Sequence, residues 1–200
     1  MSGATSLEVV SSSAADASAG TGMRTMLVRG LNTAYEEISE LVTLNGLTPV
    51  ALAQQFFRIN EATPVTVGTG QANTGVITIR GAGAGTTRAI MPAGIGSLRQ
   101  AVYTVPAGYD LVITSVLAVL NRVDTSDRWA TISSWVRTSA GVIIQPAEIG
   151  IATQPFRDEY AVPAVLPEKT DTTIRAQQVS GNNTNLTANI MGYLRPRPTA

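Results

Sequence analysis

The chain has 200 residues, 14 Lys and Arg against 14 Asp and Glu, a formal net charge of zero, and neither cysteine nor histidine. That composition excludes a disulfide framework, a thiolate nucleophile, a cysteine zinc site and the usual general base near neutral pH. With charged residues at 14%, against about 25% in an average globular protein, it also argues against a nucleic-acid binder, which needs clustered Lys and Arg to displace counterions.

Taken in chain order, the sequence reads as short β-branched runs separated by Gly, Pro, Asn and Asp. The first residues, Met1 to Ser6, have neither the basic nor the apolar region of a secretory signal. Leu7–Val10 reads as a strand, and Ser11–Gly22 is too rich in small residues to bury much. Met23–Arg29 and Glu37–Leu44 follow as strands, the second ended by Asn45-Gly46, a strong hairpin signal because both residues tolerate positive φ. Pro49–Asn60, Val65–Val67 and Val76–Arg80 continue the strand pattern. Thr33–Ser39 and Val50–Phe57 carry at most a turn or two of helical character. The glycine-rich Gly81–Thr87 lacks the Lys and following helix of a phosphate loop, so it reads as a flexible connector to Arg88–Met91.

Beyond Gly96 the strands lengthen: Gln100–Val105, Leu111–Asn121, Trp129–Thr138, Val142–Pro146, Tyr160–Leu166, Thr172–Ser180 and Leu186–Leu194. Turns are expected at Val105-Pro106-Ala107-Gly108 and Asn182-Asn183-Thr184. The fold class is therefore all-β: a β-sandwich or jelly-roll-like C-terminal domain, residues 98–200, preceded by a smaller β-rich N-terminal domain, residues 1–97. The longest apolar stretch, Val112–Leu120, is far too short to span a bilayer as a helix.

Candidate chemistry is sparse. Glu36, Glu37 and Glu40 do not converge if their strand is extended. Asp124 and Asp127 fit turn capping better than calcium binding, and Arg157-Asp158-Glu159 reads as a surface ion pair. Arg195 and Arg197 form the most basic run, a solvated or partner-docking tail ahead of a phosphate contact. Trp129 and Trp135 fall on one face of a strand, where they serve a core, an interface or a sugar-stacking platform, in that order of preference.

Strand 111–120 is the most informative. Strict alternation puts Leu111, Ile113, Leu117 and Val119 on one face and Val112, Val116, Ala118 and Leu120 on the other. A strand apolar on both faces must be covered on both. The second face is expected to meet another subunit, which makes Val112, Val116, Leu120, Trp129 and Trp135 the candidate interface residues.

The run from Leu7 to Asp16, then Ala19 to Thr25, Gly30 to Gly46, Phe57 to Ala62, Asn73 to Ile79, Tyr103 to Gly108 and Leu166 to Asp171 resembles, in the same order, virion structural proteins of tailed bacteriophages. The resemblance covers most of the chain and rests on turn and strand signatures. It implies a virion component assembled in the host cytoplasm, without catalytic residues or cofactor. It also implies partnership with the major capsid protein or other virion proteins, often as a homo-trimer. A capsid decoration (cement) subunit is the first role it implies. A tail-associated fibre anchor, connector or receptor- or glycan-binding module is the second. Neither role calls for nucleic acid or a membrane.

Overall fold

The computed structural model describes residues 6–98, 101–122, 128–152, 154–181 and 184–198. The expected sites at Asp124 and Asp127, and the turn at Asn182-Asn183, lie outside them. The chain divides into two compact units, Met1–Gln100 and Ala101–Ala200. Every regular element among the described residues is a strand, so no helix is long and apolar enough to cross a membrane.

The first unit contains β1 (Leu7–Ser11), β2 (Met23–Leu31), β3 (Glu37–Thr43), β4 (Val50–Ala51), β5 (Arg58–Val67), β6 (Ile77–Gly81) and β7 (Thr87–Met91). They form two antiparallel sheets, ordered β4-β1-β6-β7 and β3-β2-β5. Period-two patterning works cleanly in the first sheet: Leu7, Val9, Ile77, Ile79, Ala89 and Met91 point inward and are buried. They pack against Met26, Val28, Val42, Ile59 and Ala62 of the other sheet in one continuous core. Side chains from both inner faces meet, so the unit is a β-sandwich.

Several local expectations change. Asn45-Gly46 does not close a hairpin, because β3 pairs only with β2 while β4 pairs with β1. The turn, with Gly46 at φ 59°, instead carries the chain from one sheet to the other. The helical character at Thr33–Ser39 is replaced by an Asx turn, in which Asn32 Oδ1 accepts the Ala34 and Glu36 N–H groups. Only Val50–Ala51 of the run Pro49–Phe57 is strand. Nor is the small-residue stretch 11–22 without a buried anchor, since Asp16 within it is fully buried. Its carboxylate accepts from Ser11 Oγ (2.6 Å) and from the N–H groups of Met23, Thr74 and Gly75 (2.8 Å each). Three chain segments distant in sequence thereby meet on one side chain.

The second unit contains β8 (Val102–Thr104), β9 (Tyr109–Arg122), β10 (Ala130–Arg137), β11 (Ile143–Ile151), β12 (Phe156–Leu166), β13 (Asp171–Val179) and β14 (Thr184–Pro196). Its sheets are ordered β11-β10-β13-β8 and β12-β9-β14. Only β10 and β11 pair as sequence neighbours; the other pairings join strands that the chain reaches by passing from one sheet to the other. Ala118, Ile132 and Ile151 are buried where the sheets meet, with Leu120, Phe156, Ile174 and Leu186 around them. A second cluster gathers on Val105, Leu111 and Ile113. The two units are equal in length, and the first holds the larger continuous core.

Candidate functional interface

Strict alternation fails in β9, and the reason is a β-bulge. Ile113 pairs with Gly192 and Ser115 with Met191, so two steps along β9 match one along β14. Thr114 is the extra residue. The faces therefore exchange at that point. Leu111, Ile113, Val116, Ala118 and Leu120 point into the sandwich, whereas Val112, Ser115, Leu117 and Val119 point outward.

This corrects the grouping of Val112, Val116 and Leu120 on one face. Val116 packs against the cluster of Val105, Leu111 and Ile113, and Leu120 against that of Ala118, Ile132 and Ile151. Both are claimed by the unit's own core. Val112 lies on the outer face, in a cross-strand row between Val165 and Tyr193.

The tryptophans belong to the other sheet. Ala130 and Ile132 of β10 are buried inward, which turns Thr131, Ser133 and Trp135 outward. Trp135 Nε1 donates to Ser133 Oγ (2.6 Å), and Gln177 Nε2 donates to the same oxygen (2.7 Å). The Arg175 guanidinium sits 5.2 Å from the Trp135 ring centroid, a cation–π contact that covers the indole. Trp129 precedes β10 and is 46% exposed, its backbone tied to Ser180 through two 2.9 Å hydrogen bonds. The five expected interface residues thus occupy three surfaces and form no single patch.

What the second unit does expose is apolar and lies elsewhere. Tyr193 and Met191, each 55% exposed, and the exposed Val165 surround Val112 on the outer face of β12-β9-β14, Val112 itself being buried. Val142, Ile143 and Ile144 stand out at the tip of the β10–β11 hairpin. Between Glu159 and Ala164 the register of β12 on β9 slips, and Val162 within that irregularity is 85% exposed. Hydrophobic content in the sequence did not separate these residues from core, because strand pairing and the hairpin tip decide which of them stay uncovered.

Most of the acids among the described residues have structural partners. The glycine-rich loop does cradle an anion, but the anion is Glu8. Its carboxylate accepts from Arg80 Nε (2.7 Å) and from the N–H groups of Gly83 and Ala84 (3.1 Å each). Hydrogen bonding from Arg80 is the main reason its pKa lies below the ordinary value, with the two loop N–H groups adding and burial opposing. Glu40 receives the Ala53 and Gln54 N–H groups, and Glu36 the Asn32 amide. Arg157 pairs with Glu159 in full solvent. The C-terminal cations are also matched: Arg195 with Asp110 (3.0 Å), and Arg197 with Glu168 (2.8 Å) and Asp110 (3.5 Å). Among the described residues, no three Asp or Glu side chains gather where they could hold a metal ion. No family model, no curated protein and no solved structure matches the chain.

Proposed function

We propose that this chain is a non-enzymatic structural subunit of a bacteriophage virion, a decoration or cement protein carried on the outside of the capsid. The observation that carries the reading is the apolar surface of the second unit. Both units expose large apolar side chains, but among the described residues the second exposes more of them, on an outer sheet face, a hairpin tip and an irregular edge. Exposed apolar surface of that kind marks contact with other proteins. A surface of low charge, with most of its described acids engaged in turns and ion pairs, suits protein–protein packing that persists across salt concentrations.

The test is co-sedimentation of the purified chain with emptied capsids stripped of accessory proteins. Saturable binding at a stoichiometry matching capsid symmetry is expected, and capsids that pellet without the chain would overturn the reading. Light scattering at tens of micromolar is expected to give a mass above that of the single chain.

The exposed Trp129 and the Trp135–Arg175 pair favour a second reading, a tail-associated module that engages a receptor or glycan. Binding to host cells, with indifference to capsids, would select it.

A further inference from the structure

We propose that β14 is a homotypic pairing edge: two copies of the chain join β14 to β14 antiparallel about a two-fold axis, making one continuous six-stranded sheet. Four strands of the second unit end a sheet: β8, β11, β12 and β14. Exposed edges offer unpaired N–H and C=O groups to any other strand, and proteins guard them with shortness, charge, proline or bulges. Three of the four are guarded. β8 is three residues long. β11 carries Pro146 and a register irregularity. β12 carries Arg157-Asp158-Glu159, and its register slips before Ala164.

β14 carries such guards only at its C-terminal end, in Arg195 and Pro196. It runs for 13 residues, and from Thr184 to Leu194 the sequence contains no Asp, Glu, Lys, Arg or Pro. The bulge in its pairing belongs to β9, so β14 itself is regular. Among the described residues no strand pairs with its outer edge.

Charge decides the occupant. Two-fold pairing sets each residue opposite its mirror position, with both side chains on the same face. Centred on Arg157, Asp158 or Glu159, β12 would set a like charge against itself. Any centre within the uncharged run of β14 avoids this. Ile190 is the midpoint of Thr184–Pro196, and a register centred there pairs the uncharged, proline-free run Leu186–Leu194 with itself. It sets Leu186 opposite Leu194 of the second copy on the inner face, where both are only partly buried in one chain. On the outer face it sets Met191 opposite Asn189 and Tyr193 opposite Thr187. The apolar row Val165–Val112–Tyr193 then continues into its image in the second copy.

The chain has no cysteine, which makes introduced thiols unambiguous. Asn189→Cys and Met191→Cys, both exposed positions, are mixed in equal amounts under mild oxidation. The expected result is severalfold more disulfide dimer from the mixture than from either variant alone. Val162→Cys, the most exposed large apolar position, controls for random collision. A mixture that cross-links no better than Val162→Cys would overturn the pairing. The double variant Asn189→Lys, Met191→Lys puts like charges across the same interface and is expected to lower the solution mass; an unchanged mass would count equally against it. The inference rests on the assembly reading but fails separately. Capsid binding without cross-linking removes only the edge pairing, and cross-linking without capsid binding removes only the capsid role.

Discussion

Asp16 shows what one side chain contributes when sequence-distant segments converge on it. A hydroxyl and three backbone N–H groups end on its carboxylate, and the residue is fully buried. Each buried donor left without an acceptor costs about 1–3 kcal/mol. Asp16→Ala is therefore expected to lose on the order of 4 kcal/mol, read as a fall in the urea midpoint with an unchanged slope. Glu8 and Glu168 act through pH instead. Hydrogen bonding from Arg80 holds the Glu8 carboxyl below its ordinary 4.5. The Gly108 N–H, then the Arg197 charge, do the same for Glu168. A folded-state value below the unfolded one means that the native chain binds fewer protons. The stabilisation is therefore fully present above 4.5 and disappears as pH falls through the depressed values. Urea midpoints across the carboxylate range should be flat above that point and decline below it. Glu8→Gln should remove part of the decline, and a decline of wild-type steepness in that variant would refute the assignment.

At the scale of the strand, the bulge at Thr114 is the decisive feature, and Gly192 opposite it is its condition. A Cβ at position 192 would lie 2.4 Å from the Val112 carbonyl oxygen and 3.2 Å from the Ile113 Cα. These are backbone atoms of β9, which leave little room to relax. Gly192→Ala is expected to cost about 1–3 kcal/mol, seen as a lower Tm. The exchange of faces is tested by charge insertion. Ala118→Lys should prevent folding because Ala118 is fully buried between the sheets, while Leu117→Lys, one residue earlier on the outer face, should leave a cooperative unfolding transition. The reverse order would restore the uninterrupted alternation. Here lies the limit of what the sequence made legible. Strands could be placed because β-branched runs are bounded by Gly, Pro and Asn. Their pairing could not, since β1 meets β6, β10 meets β13 and β9 meets β14 across long separations. Asn45-Gly46 had the chemistry of a hairpin and serves a crossover. Val112, Val116 and Leu120 were grouped by period two, and a single inserted residue separated them. Met191 and Tyr193 alternate with the inward Ile190 and Leu194 of β14, but that they stay exposed depends on the pairing of the strands.

For the molecule as a whole, the unequal cores predict unequal stability. Among the described residues, the first unit's core joins fifteen buried side chains in a single cluster, whereas the second divides six between two. Apolar burial supplies most of the drive to fold, at roughly 25 cal/mol per Å², so the second unit should be the weaker one in isolation. A unit that buries further surface only by associating gains stability by mass action, and its midpoint then depends on protein concentration. The chain supplies a convenient reporter. Its two tryptophans, Trp129 and Trp135, both lie in the second unit. Tryptophan fluorescence therefore follows that unit, while far-ultraviolet circular dichroism follows both. Urea titrations at two protein concentrations a hundredfold apart should show the fluorescence midpoint moving upward with concentration. The dichroism should resolve a second, later transition that stays fixed, belonging to the first unit. If instead both probes give one coincident, concentration-independent transition, the second unit does not draw its stability from its neighbours, and the exposed faces of β14 and β11 must have another purpose.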